Sequence, residues 1–189
     1  MEKKLRDYLR TGEVVCWQGK PQPFSLLDCG TKSAILRKWI LTVLIIGGVL
    51  IAYIPRHGSA DGFVWLMLLL AAVLILSPIV ERSNLMQNRY WITNQRAILM
   101  SRDGSFYYMD LADIDTYEVI RGKSDQDCLA LGSEIQEDAK KYVRWRSCHP
   151  KEDMTGAKER DHVKGLMFYN IANIADAVAQ LKKSESSAA

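Results

Sequence analysis

Two uncharged apolar runs constrain this chain more than any other feature. Residues 39–55 contain no Asp, Glu, Lys or Arg, and neither do residues 62–80. Each run is close to the ~20 residues that an α-helix needs to cross a hydrocarbon core of roughly 30 Å. A short polar turn, Arg56-His57-Gly58-Ser59-Ala60-Asp61, joins them. A helix satisfies its own backbone polar groups, which lipid cannot do. The pattern predicts a two-helix transmembrane hairpin over 37–82, with helices at about 37–55 and 62–81. A helix pair buried in a soluble core is the competing structure, but such helices usually retain some polar face. Trp39, Tyr53 and Trp65 fall near the run ends, where amphipathic rings prefer the interface. Gly47-Gly48 and Ala71-Ala72 read equally as a close helix approach or as ordinary use of small residues. Pro78, in the last turn of the second helix, is expected to bend the exit there.

Whole-chain averages hide this division. The 189 residues are 48% hydrophobic and 25% charged, as in one ordinary soluble domain. Yet residues 39–80 hold only Arg56 and Asp61 of the 25 basic and 22 acidic residues. The averages therefore sum a segment composed for lipid and flanks composed for water. A collagen, a disordered chain and a one-core globule are all excluded.

The net charge of +3 divides as unevenly. Residues 1–38 carry eight Lys/Arg against four Asp/Glu, and residues 81–189 carry 16 against 17. Arg37 and Lys38 immediately precede the first apolar run, and Arg82 and Arg89 follow the second. The turn has only Arg56. Positive residues favour the cytosolic side, so both termini are expected in the cytosol and the turn outside. The basic surplus before the first helix would lie against anionic headgroups. A nearly neutral remainder gives nucleic-acid binding no support. The first apolar run follows 38 residues and precedes no small-x-small site, so a cleaved signal peptide is not expected.

The cysteines, Cys16, Cys29, Cys128 and Cys148, form no C-x-x-C pair, and disulfides are rare in the cytosol. A zinc site from Cys128, Cys148, His149 and His162 is disfavoured by the adjacent Cys148-His149 spacing. No metal or cofactor is expected.

The remaining sequence reads as sheet. Residues 1–36 form an N-terminal segment with a short amphipathic helix carrying Leu5, Tyr8 and Leu9 at spacings of three and four. That helix rests on either the membrane or the soluble domain. Residues 12–21 contain a short β-like run ended by Gly19 and Pro21. From 83 to 185 the period shortens. Strands are expected at 88–93, 96–101, 105–109, 114–121, 128–131, 141–146 and 163–169, with Arg102-Asp103-Gly104 as a hairpin turn. Residues 147–161 are polar and read as loop. Ile171, Ile174, Ala175, Val178 and Leu181 then mark one apolar stripe of a closing helix, which Asn170 or Asn173 would cap. Residues 186–189 are a tail. A seven-stranded antiparallel, partly open barrel capped by a C-terminal helix is the pleckstrin-homology pattern.

Specific residues carry the same resemblance. Tyr90-Trp91-Ile92-Thr93-Asn94-Gln95-Arg96 resembles the strand-turn-strand signature of bacterial PH-like membrane proteins. Gly12-Glu13 with Trp17, Gly19 and Pro21 is similar to the element that precedes their membrane hairpin. The segment 111–122, and Phe168-Tyr169-Asn170-Ile171 before the last helix, also resemble theirs. Residues 133–164 depart from the pattern, being longer and more charged. The resemblance implies a membrane α+β fold and an inner-membrane location, not a reaction. Within the signature, Tyr90, Thr93, Asn94 and Arg96 read as structural. Thr93 and Asn94 can hold a tight turn, and Arg96 can pair with a carboxylate across the sheet.

Catalytic signals are few. No G-x-S-x-G, H-E-x-x-H, G-x-G-x-x-G or P-loop occurs. Asp113-x-Asp115 and Asp125-x-Asp127 do not continue into calcium loops, because Tyr117 and Leu129 take the next ligand positions. In a strand over 140–146, Lys140, Tyr142, Arg144 and Arg146 would share one face. That ladder reads as a solvated surface or as a contact for anionic lipid or an acidic partner. The expectation is a non-enzymatic, membrane-anchored binding or scaffold protein, with membrane lipid and other membrane proteins as partners. Homo-oligomerisation stays open. The alternatives are an anionic-lipid sensor reading headgroups through 140–146, and a membrane-bound enzyme.

Overall fold

The structure is a computed structural model, and it describes residues 2–27, 32–57, 61–120, 127–132, 151–152 and 161–188. The chain forms two compact units, one from residues 1–23 and 84–189 and the other from 24–83.

The second unit is a helix pair, α2 (Lys32–His57) and α3 (Gly62–Met86). Both are long and apolar enough to cross a membrane. Their large side chains point outward, with Ile51 77% and Trp65 66% exposed. Polar bonds tie one helix to the other. Trp39 Nε1 donates to the Ile75 carbonyl at 3.0 Å, and Lys38 Nζ donates to Ser77 Oγ at 2.7 Å. Near the turn, the Tyr53 hydroxyl donates to Asp61, and the Tyr53 ring packs 4.5 Å from that of Phe63.

The structure decides between the two readings of Gly47-Gly48 and lengthens the second helix. A Cβ at Gly47 or Gly48 would meet nothing within 4 Å, so these glycines face open space and make no close helix approach. Pro78, expected in the last turn of the second helix, lies inside α3, which continues to Met86. Proline removes the amide that would bond the carbonyl four residues earlier, at Leu74. The Ser77 hydroxyl donates to that carbonyl at 3.2 Å instead, which lets the helix pass through the proline.

The first unit holds α1 (Glu2–Tyr8), β1 (Val15–Gly19), β2 (Arg89–Thr93), β3 (Arg96–Met100), β4 (Phe106–Asp110), a 3-10 turn (Leu111–Asp113), β5 (Tyr117–Ile120), β6 (Cys128–Leu131), β7 (Lys151–Glu152), β8 (Val163–Phe168) and α4 (Ile174–Ala188). Two four-stranded antiparallel sheets result, ordered β1-β2-β3-β4 and β5-β6-β8-β7. The expected strand over 141–146 lies outside the described residues. Lys151–Glu152 falls in a segment read as loop, yet it adds to the β8 edge.

The first 23 residues belong to the same unit as residues 84–189. β1 pairs with β2 from Val15↔Thr93 to Gly19↔Tyr90. The helical hairpin is thus an insertion between two neighbouring strands. Trp17 explains the glycine two residues later. A Cβ at Gly19 would lie 2.3 Å from the Trp17 ring, so only glycine leaves the indole its place.

Side chains of the two sheets meet in one core. Tyr90, Ile92, Leu99 and Met109 face Leu129, Leu131, Leu166 and Phe168, and α4 adds Ala177 and Leu181. The Tyr90 and Phe168 rings stack at 4.7 Å, and the Tyr90 hydroxyl accepts the Tyr169 amide at 3.3 Å. The opposite face of the first sheet is covered too. Trp91, Ile98, Met100 and Tyr108 pack with Leu5, Tyr8 and Leu9. The apolar stripe of α1 therefore rests on the sheet, and β2 reads as a nearly continuous apolar run because both its faces are buried.

Asn170 is not the cap of α4. It takes φ 44°, and its side-chain amide donates to the Gln22 carbonyl at 3.0 Å, clasping the segment after β1. Asn173 directly precedes α4, and its carbonyl accepts the Asp176 amide at 3.0 Å.

A second position that favours glycine lies after β6. Gly132 has φ +86°, and a Cβ there would sit 2.4 Å from the Lys164 carbonyl oxygen. Gly132→Ala should destabilise this unit by about 1–3 kcal/mol. Chemical denaturation of the detergent-solubilised chain, followed by tryptophan fluorescence, measures it.

Candidate functional site

One cluster in the sheet unit brings charged and aromatic side chains together. The centre is Glu13, just before β1, and Arg96, the first residue of β3. Their side chains are 0% and 3% exposed. Arg96 Nε and Nη2 each donate to the Glu13 carboxylate at 2.9 Å, a bidentate fork. The Thr93 hydroxyl donates to Glu13 Oε1 at 2.7 Å, and the Arg10 amide donates to Oε2 at 2.7 Å. Arg96 Nη2 also reaches the Tyr8 carbonyl at 2.9 Å. The guanidinium carbon lies 4.7 Å from the ring centroids of both Tyr8 and Tyr108. A buried ion pair stabilises only when its remaining donors and acceptors are satisfied. Here four donors converge on one carboxylate.

The β2–β3 turn makes this possible. Thr93 Oγ1 accepts the Arg96 amide at 2.9 Å and the Gln95 amide at 3.2 Å, a side-chain-closed turn. Asn94 Oδ1 accepts the Val14 amide at 2.9 Å, and Asn94 Nδ2 donates to the Gly12 carbonyl at 3.4 Å. The turn thereby holds the segment that carries Glu13. All of the expected structural residues Tyr90, Thr93, Asn94 and Arg96 converge here or in the adjoining core.

Burial pushes the Glu13 carboxyl upward. The bonds from Arg96, the Arg10 amide and Thr93, with the Arg96 charge, outweigh it and hold the carboxyl below its ordinary value of 4.5. Because the folded value is the depressed one, the unfolded chain takes up the proton first. The stabilisation is complete above about pH 4.5 and lost as pH falls through the lower folded value. Unfolding midpoints measured from pH 7 to pH 3 should fall below that point. Glu13→Gln should remove this component of the decline.

A more open rim surrounds the pair. Arg10 Nη1 donates to Asp110 Oδ1 at 2.9 Å, and Arg10 lies 5.1 Å from the Tyr108 ring centroid. His162 Nε2 is 3.1 Å from Asp113 Oδ2 and 4.0 Å from Asp110 Oδ2. A bridge between Tyr108 and His162 brings β8 to β4, and the Tyr108 amide donates to the Asp161 carbonyl at 2.8 Å. Ligand atoms of Asp110, Asp113 and His162 lie within 4.8 Å of one another, a spacing that a divalent cation can bridge. Arg10 already neutralises one of these carboxylates. His162 thus faces two aspartates. Of the disfavoured zinc grouping, Cys128 is buried in β6, and Cys148 and His149 lie outside the described residues.

The cations expected to flank the membrane sit in the helix pair. Arg37 is exposed and Lys38 is held by Ser77. Arg82 Nε donates to the Phe24 carbonyl at 2.7 Å, with its guanidinium carbon 5.2 Å from the Phe24 ring centroid. Lys140, Tyr142, Arg144 and Arg146 lie outside the described residues. Local sequence pattern does not reveal Glu13 as a partner of Arg96, nor the joining of Asp110, Asp113 and His162. The one signal for the first is a lone arginine opening the apolar strand 96–100.

No family model, curated protein or solved structure matches this chain.

Proposed function

We propose that this chain is a membrane-anchored binding or scaffold protein, with a PH-like unit held at the cytosolic face of a bacterial inner membrane by the α2–α3 hairpin. The pairing of β1 with β2 carries the reading. Those strands flank the hairpin, so both flanks must fold together on one side of the membrane. Two crossings meet that requirement and one crossing does not. The Lys/Arg bias around 37–38 and 82–89 favours the cytosol for that side. Two four-stranded sheets closed by α4, and the signature residues 90–96, support the PH-like assignment. The buried Glu13–Arg96 pair is internally satisfied and serves the architecture. The rim of Arg10, Asp110, Asp113 and His162 is the surface proposed for a partner. Tethering raises the local concentration of partners in the same membrane.

Photo-crosslinking in native membranes tests this. A photoreactive residue at the exposed Asp113 should give a discrete adduct, and one at the exposed Val14 should not. Equal labelling from both positions, or none from Asp113, would argue against a binding rim.

A further inference from the structure

The helix pair encloses a groove of about 420 Å³, within the size range of small-molecule sites. Its nine lining residues include Arg37 and Lys38 and no acidic residue. Leu41, Ile45, Leu70 and Leu74 make its apolar wall. The cationic end is built rather than incidental. Pro78 removes the amide partner of the Leu74 carbonyl, Ser77 takes that carbonyl, and Lys38 donates to Ser77 at 2.7 Å. Lys38 is therefore held against α3, at the head of an apolar channel. Arg37, its neighbour on α2, is exposed and lines the same groove.

We propose that this groove is a binding site for one anionic phospholipid. An acyl chain lies along Leu41, Ile45, Leu70 and Leu74, and the headgroup phosphate meets Arg37 and Lys38. Charge complementarity selects this occupant: a neutral acyl surface would leave two cations facing lipid, and basic residues near a membrane surface attract anionic headgroups. The proposal rests on the membrane-spanning reading of α2 and α3.

Native mass spectrometry of the full chain, extracted from membranes in mild detergent, tests the site. Phosphatidylglycerol and phosphatidylcholine of equal chain length are offered together. Wild type should retain phosphatidylglycerol with roughly tenfold preference. Arg37→Gln/Lys38→Gln should lower that preference to within about twofold. Ile45→Trp, which narrows the groove without touching either cation, should reduce retention of both lipids. Excess inorganic phosphate should not displace the lipid. Equal retention by wild type, or an undiminished preference in the double variant, overturns the site. A chain absent from the carbonate-washed membrane fraction overturns the spanning reading itself. A chain present there without preference overturns the site alone.

Discussion

Arg96→Met should destabilise the sheet unit by about 3–5 kcal/mol, since it strands a buried carboxylate. The substitution keeps an apolar stem of similar length, so the loss reports charge and hydrogen bonding more than volume. Two fork bonds to Glu13 vanish, the Tyr8 carbonyl loses its donor, and Tyr8 and Tyr108 lose the cation over their rings. Adding Glu13→Leu to that variant should recover part of the stability, because the unpaired charge is gone. Full recovery is not expected, since the Arg10 amide also loses its acceptor. Urea titration of the detergent-solubilised chain reads this through Trp91, which is buried in β2. A loss below about 1 kcal/mol for Arg96→Met would show that the pair is dispensable.

Leu69→Arg should sharply reduce membrane integration. Leu69 is 63% exposed near the middle of the uncharged run 62–80 of α3, on the surface proposed to face lipid. Arginine at the centre of a spanning helix is disfavoured by about 2.5–3.5 kcal/mol, on the order of a hundredfold in the insertion equilibrium. Val14→Arg is the control. Val14 is 62% exposed in the sheet unit, so the same change there should alter stability by less than about 0.5 kcal/mol. The carbonate-resistant fraction of each variant measures the difference. Equal integration of Leu69→Arg and wild type would mean that α3 does not cross lipid.

Local patterns in the sequence identify most elements. The aromatic and β-branched runs at 89–93, 96–100, 106–110 and 163–168 become strands near their expected limits, because each is short and bounded by turn residues. The two apolar helices follow from absence of charge alone. They extend beyond the apolar runs, into charged residues at both ends of α2 and the C-terminal end of α3. What is not legible depends on distance along the chain. β1 pairs with β2 across the whole hairpin insertion, and no local pattern marks that partnership. The same separation hides Glu13 from Arg96. Asp110 and Asp113 meet His162 only because β4 and β8 come together at Tyr108. Pro78 illustrates a different limit: its effect depends on whether a hydroxyl can take the orphaned carbonyl, and Ser77 does.

In the proposed topology both flanks of the hairpin share one side of the membrane and the turn occupies the other. Cysteine accessibility in intact cells tests it most directly. In a background with the other cysteines replaced, the native Cys16, exposed on β1, and a His57→Cys substitution at the end of α2 are compared one at a time. A membrane-impermeant thiol reagent added outside should label position 57 and leave Cys16 unlabelled until the cells are lysed. Labelling of Cys16 in intact cells, or protection of position 57, would contradict the account.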